Sequence, residues 1–327
     1  MRITKPLVGL LLLLICVACD KSKETPSGLK FKLVKEGTGE PAKAGEVLLF
    51  NFTFKDTGDS TYWSTYKAPF PQYMIMRDTT GMKREDGMTQ MLRMLRKGDS
   101  AVVEIPIKDF YKDYVRRPLP ARIDSSWTIT TRMKVENIMP QDSFMTYQRD
   151  FYDNLAKIQA EKDAMILDEY LAKNNIAAMK TPTGLRYLVT QAGKGENGKS
   201  GQYAKVGYAG YTLEGKYFDA SDRAIAIEKG FFNPQRDQFA PYAPSDIIID
   251  QSQVISGWHE ALKLLNKGAK ATIYVPSGLA FGPQRRTDII KENEIVIFDL
   301  EVIDLQDKAP DVQEKKNKRI NDKKVRK

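Results

Sequence analysis

Four segments in the second half of the chain gather its chemically suggestive side chains: VGYAGYTLEGKYFDAS (206–221), VISGWHEAL (254–262), IYVPSGLAFG (273–282) and ENEIVIFDLEVIDL (292–305). Five of their eight aromatic residues, Tyr208, Phe218, Trp258, Phe281 and Phe298, stand out together with the carboxylate Asp219. Such a set can take a polar group out of water and grip a ring by shape. Metal chemistry has little to build on: His259 is the only histidine, with no cysteine or second histidine beside it, so it reads as a surface or packing residue. The glycine-rich run Gly193–Gly201 has no P-loop continuation and lies between strands, so it reads as a turn. No metal and no cofactor are expected.

The elements that must position these residues follow from hydrophobic alternation. Leu185–Thr190, Tyr203–Leu213, Ala271–Val275 and Ile295–Leu305 alternate as half-buried strands do. Trp258, Ala261, Leu262 and Leu265 fall at helical spacing, and Gly268 closes that helix. Antiparallel strands packed on one short helix predict an α+β module. The module occurs twice. TPSGLKFKLVKEGTGE (25–40) returns as TPTGLRYLVTQAGKGE (181–196), and MLRKGDSAVVEIP (94–106) as LLNKGAKATIYVP (264–276). A unit above 100 residues signals domain duplication, not a repeat array.

The 327 residues suffice for two domains, each with its own core. Arg2 and Lys5 precede a short apolar run, Leu7 to Val17, as in a secretory signal, and the run is too short to span a bilayer. Cys16-Val17-Ala18-Cys19 resembles a bacterial lipobox, whose last cysteine is diacylated; the alternative is an ordinary cleaved signal that leaves Cys19 a free thiol. Cleavage removes two of the nine net positive charges and leaves +7, much of it in the tail Lys315–Lys327. In an exported protein that tail reads as solubilising or as a membrane or partner contact, and nucleic acid is not expected. Between the modules, Phe144, Phe151, Ile158 and Met165 recur every seven residues, with Asp142 or Ser143 as a cap and Asn174-Asn175 as a stop. This helix could be a rigid spacer, a hairpin packed on a module or a dimerising element.

Residues 182–306 resemble the FKBP-type peptidyl-prolyl cis–trans isomerases, on the four segments above in that family's order. The resemblance implies an α+β fold of two FKBP-like domains, each an antiparallel curved sheet wrapped on a short helix, joined by a long helical linker. Together with the signal-like start, the repeat and the basic run, it gives these expected boundaries: signal 1–18, tether 19–27, first domain 28–139, linker 140–181, isomerase domain 182–306 and basic tail 307–327. The resemblance implies a site of Asp219, Tyr208, Phe218, Ile255, Trp258 and Phe281, with Val254, Ile290 and Phe298 binding substrate. Ile255 would offer its backbone N–H to a substrate carbonyl. Phe281 stands where the family usually has tyrosine, which deletes a ligand-bonding hydroxyl, and the stretch Ser221–Pro244 is longer than usual and could supply a substitute aromatic or cover the site.

The first copy departs further. Phe52 aligns with Tyr208, Tyr62 with Phe218, Trp63 with Asp219, Met88 with Trp258 and Thr131 with Phe298, so the fold is expected to persist without the site. Its Tyr62, Trp63, Tyr66, Phe70, Tyr73, Met74, Met76, Met82, Met88, Met91 and Met94 either fill its core or form an adaptable binding surface. The expected function is a prolyl isomerase and folding helper acting on proline-containing segments of exported proteins. It would be anchored through Cys19 in the cell envelope, on the outer membrane facing the periplasm. The alternative is a non-catalytic chaperone or scaffold of an outer-membrane assembly or secretion complex.

Overall fold

The computed structural model describes residues 22–58, 60–79 and 85–308; Cys19 and the Lys315–Lys327 tail lie outside them. The chain divides into two compact units, Met1–Phe151 and Tyr152–Lys327.

Unit 1 runs β1 (Ser22–Glu24), β2 (Lys30–Lys35), β3 (Glu46–Lys55), β4 (Thr61–Ser64), β5 (Gln72–Ile75), α1 (Gly87–Met94), β6 (Ser100–Pro106), α2 (Ile107–Phe110) and β7 (Thr128–Pro140). Its sheet has the order β1-β2-β6-β7-β3-β4, with β5 also on β3, and every pair is antiparallel. Period-two alternation sends Phe31 and Leu33 of β2 and Ala101, Val103 and Ile105 of β6 into the core beneath α1.

A single helix, α3, runs from Gln141 to Lys173. It is unbroken, which removes the hairpin reading, and it starts before Asp142 and Ser143, so neither is its cap. Asn175, at φ 54°, ends it as expected, with Ile176 N–H donating to Leu171 O. In unit 1, Phe144 and Phe151 pack with Phe70, Val47 and Leu49 on the outer face of β3. In unit 2, Leu167, Tyr170 and Leu171 cover Tyr274, Ile295 and Ile297. Ile158 and Met165 stay exposed. No helix among the described residues is long and apolar enough to cross a membrane.

Unit 2 continues with β8 (Met179–Lys180), β9 (Arg186–Gln191), β10 (Lys194–Asn197), β11 (Tyr203–Thr212), β12 (Tyr217–Ala220), α4 (Arg223–Glu228), α5 (Pro234–Phe239), β13 (Ser245–Ile248), α6 (Ser256–Leu262), β14 (Asn266–Lys267), β15 (Lys270–Val275) and β16 (Val296–Gln306). Its antiparallel sheet reads β8-β9-β15-β16-β11-β12, with β13 on β11, which is the order of unit 1 again. The run Gly193–Gly201 is more than a turn, since β10 within it pairs with β14.

Two expected boundaries shift. Part of the supposed tether is sheet: Ser22–Glu24 pair with Lys30–Lys32, and Thr25 is buried. At the far end of the linker, Met179–Lys180 pair with β9. Both shifts have one cause, the repeated TPSGL and TPTGL. Each folds as a turn that joins a short strand to the next, with Gly28 N–H donating to Thr25 O and Gly184 N–H to Thr181 O. Gly28 and Gly184 sit at φ 87° and 96°, where a Cβ is strained.

Candidate active site

The concave face of unit 2 holds an aromatic bowl. Its floor is Trp258, carried by the first turn of α6, whose Gly257, Trp258, Ala261 and Leu262 are buried against the sheet. A Cβ on Gly257 would lie 2.6 Å from Val275, so glycine lets α6 approach closely. The Trp258 ring meets Tyr208 of β11 at 4.9 Å and Phe298 of β16 at 5.1 Å, both edge-on. Phe218 of β12 packs edge-on against Phe298 at 5.6 Å and against Phe281 at 6.3 Å. The Trp258 Nε1 is buried without a hydrogen-bond acceptor.

Asp219 follows Phe218 on β12, and its Oδ2 accepts a 3.0 Å hydrogen bond from the Tyr208 hydroxyl. Its Oδ1 lies 2.7 Å from Nη1 of Arg236, an ion-pair distance at which no well-directed hydrogen bond forms. Burial first, then the charge of Asp219, pushes the Tyr208 hydroxyl up to about 12. Tyr208 is further held by Ser221, whose Oγ accepts its N–H at 2.8 Å.

Val254 and Ile255 pack on the same cluster as Tyr208, Phe218, Trp258, Phe281 and Phe298. Ile255 is the extended residue before α6 (φ −60°, ψ 145°), and its N–H has no acceptor among the described residues. Ile290 is buried apart from this cluster, in a turn where Arg286 N–H donates to its carbonyl. The fold thus gathers eight of the nine expected residues and leaves Ile290 aside.

Arg236 was not legible in advance. The stretch Ser221–Pro244 folds as two short helices, α4 and α5, the second marked by Asn233, whose Oδ1 accepts from Gln235 and Arg236 N–H, and by Pro234. That Asn-Pro pair signals a helix start, but nothing local says that the next turn aims a guanidinium at Asp219. Arg236 also lies over the Tyr242 ring at 4.2 Å. Phe231 stacks on Tyr217 and Phe232 lies on Tyr242, so these rings pack the insertion itself, while Phe239 is 84% exposed.

His259 is structural. Its Nδ1 accepts from Asp250 N–H at 2.9 Å and its Nε2 donates to Ser252 O at 3.0 Å, which secures the turn leading into Val254. No cluster of potential metal ligands occurs among the described residues. A groove of about 900 Å³ lies between α4 and the outer face of β11, β15 and β16, lined by Thr190, Lys270, Thr272 and Glu301; it is not the bowl.

In unit 1 the bowl is filled. Phe54 lies 4.7 Å from Phe52 and 5.2 Å from Phe110, and no carboxylate takes the place of Asp219, where Trp63 stands 62% exposed. Phe70, Met76 and Met91 are buried, and Met74, Met88 and Met94 pack against the core, so the surface reading of these residues is corrected. Tyr62, Trp63, Tyr66 and Tyr73 remain exposed; Met82 lies outside the described residues.

Residues 194–303 match the model of the FKBP-type peptidyl-prolyl cis–trans isomerases. Unit 2 carries an FKBP-type domain. The chain is 32% identical over 148 residues to a probable FKBP-type isomerase, FkpA, of Neisseria meningitidis, covering 45% of this chain and 47% of that one. It is 33% identical over 150 residues to the isomerase Mip of Coxiella burnetii, covering 46% and 56%. It is 24% identical over 203 residues to the outer membrane protein MIP of Legionella longbeachae, covering 62% and 78%. The chain spans about half the length of the first of these curated relatives. The crystal structure of FkpA from Escherichia coli superposes with a TM-score of 0.33 at 28% identity, over 51% of this chain and 71% of that one. The segment matched by the family model, residues 194–303, contains the bowl and includes neither α3 nor unit 1.

Proposed function

We propose that the FKBP-type domain catalyses cis–trans isomerisation of X–Pro bonds in exported polypeptides, with the chain held in the cell envelope through Cys19. The observation that carries this is the bowl floored by Trp258, with Asp219 on its rim bonded to Tyr208. The reaction breaks no bond. It rotates an amide against a barrier of about 18–20 kcal/mol, and water stabilises the planar ground state more than the less polar twisted one. A proline ring seated on Trp258 between Phe218, Phe281 and Phe298 brings its amide into a largely apolar enclosure. Ile255, whose N–H is otherwise unpaired, donates to a substrate carbonyl and fixes the chain, and Val254 packs beside it. Asp219, with its geometry set by Tyr208 and Arg236, faces the twisting amide. Lowering the barrier by about 5 kcal/mol accelerates rotation several thousandfold, and preorganised electrostatics can contribute about 3–4 kcal/mol of that.

The filled bowl of unit 1 supports a non-catalytic role for that unit. The lipobox-like Cys16–Cys19 stretch supports lipid anchoring, and similarity to an outer membrane protein of Legionella longbeachae supports an outer-membrane site. The deciding assay measures prolyl isomerisation by residues 20–327, with Asp219→Leu and Trp258→Ala beside it. Activity that falls in both variants upholds the proposal; a folded, inactive parent chain overturns it. Labelled palmitate incorporated by the full chain but not by Cys19→Ser tests the anchor.

A further inference from the structure

We propose that Asp163, on α3 and outside the FKBP-type match, is a positioning residue for the bowl. It holds the segment that carries Phe281. This inference rests on the isomerase reading for its consequence, though not for its geometry.

Asp163 is 1% exposed, in a helix whose other acidic residues mostly face solvent. Its Oδ2 accepts from Ser277 N–H at 2.7 Å and from Ser277 Oγ–H at 2.6 Å. Its Oδ1 accepts from Gln159 Nε2 at 2.7 Å. A buried carboxylate is expensive unless its oxygens are bonded, and here both are. A helix that served only as a spacer would have no use for one.

Ser277 is fully buried and is the hinge pin of its segment. Its carbonyl accepts from both Ala280 N–H and Gly282 N–H, so residues 277–282 fold back on that single residue. Leu279 O accepts from Ser256 Oγ at 3.2 Å, which ties the same segment to the start of α6. Ala280 takes an uncommon conformation, φ −114° and ψ −110°, and the next residue is Phe281, which faces Phe218. Phe281 has no hydroxyl to fix its ring by a hydrogen bond, so the backbone of 277–282 sets its place. Asp163 sets that backbone. Four residues further along α3, Leu167 is fully buried, and Asp168 Oδ1 accepts from Arg186 Nη2 at 2.6 Å, so this stretch of helix is fastened to the sheet on both sides of the turn.

The test uses residues 20–327 with 4-fluorophenylalanine at position 281, and compares the parent chain with Asp163→Ala, Asp163→Asn and Ser277→Ala. In Asp163→Ala the fluorine resonance is expected to shift or broaden while the Trp258 indole N–H resonance stays in place. KM for a proline-containing tetrapeptide rises about tenfold with kcat within about twofold. Asp163→Asn keeps an acceptor for Ser277 N–H and restores most of both signals. Ser277→Ala, which loses only the hydroxyl bond, falls between, and its effect does not add to that of Asp163→Ala. An unchanged fluorine resonance and KM in folded Asp163→Ala overturns the proposal. If that variant does not fold, the graded pair Asp163→Asn and Ser277→Ala decides: unchanged resonances in both overturn it as well. A parent chain without turnover sinks the isomerase reading alone, because the fluorine comparison still reports whether Asp163 places Phe281.

Discussion

Gly210 stands directly across the β11–β16 ladder from Phe298, and the same rung of unit 1 carries Phe54 across from Thr131. The ring has changed strands. In unit 2 it sits on β16, and the empty position on β11 leaves room for it beside Phe218. In unit 1 it sits on β3, tilted against Phe52 and edge-on to Phe110, as part of the packed interior. One cross-strand exchange thus separates an open bowl from a packed core in two units of the same topology.

Gly210→Ala tests how tightly the open arrangement is drawn. A Cβ there would lie 2.5 Å from Phe298 and 2.8 Å from Phe218, so rings must move. Overpacking of this kind costs about 1–3 kcal/mol. The expected outcome is a lower denaturation midpoint for unit 2 and a loss of isomerase activity, read by urea titration and the proline assay.

Thr131→Val probes the reciprocal site. Thr131 is fully buried and its Oγ1 has no partner, an arrangement that costs about 1–3 kcal/mol. Valine keeps the shape and removes the orphaned hydroxyl. Unit 1 should gain about 1–2 kcal/mol by denaturant titration, with turnover by unit 2 unchanged; a destabilised unit 1 would mean that the hydroxyl has a role.

Tyr208 predicts an alkaline limit. Its folded pKa of about 12 exceeds the usual value near 10, so the fold favours the protonated phenol. The associated stability, about 2 kcal/mol, is fully present below pH 10 and is lost as pH rises from 10 through 12. Asp219→Asn removes the second of the two causes and should lower the phenolate titration of this residue. Comparing the alkaline ultraviolet titrations of parent and variant isolates it from Tyr203 and Tyr211, which burial also pushes up.

Arg236→Met removes the cation beside Asp219. A partly buried carboxylate deprived of its counter-charge is left uncompensated and reorients toward its remaining partner, Tyr208. The expected result is a fall in kcat/KM of about threefold to tenfold, or about 0.7–1.4 kcal/mol, with Arg236→Lys falling between. Equal activity in all three chains would show that Tyr208 alone sets Asp219.

Local pattern was enough for the duplication and for the main strands and helix near the site; the choice of site residues rested on the resemblance to a known family. The repeated TP-x-GL turn, the alternating strands and the helix bearing Trp258 are short-range features, governed by period and by glycine's tolerance of positive φ. Tyr208, Trp258 and Phe298 sit on these elements, while Phe218, Asp219, Val254, Ile255 and Phe281 join them from the neighbouring strand and connecting segments. Other relationships required the folded chain. Asp163 and Ser277 lie 114 positions apart, Arg236 reaches Asp219 from an insertion with its own packing, and β1 and β8 become strands only because partners wait across their turns. Sequence alone determined which residue types were available and on which strand face they would lie. Which of them meet, and whether Phe298 or Phe54 occupies a shared rung, was decided by close packing, because a volume on one strand is filled or left open by its neighbour across the ladder.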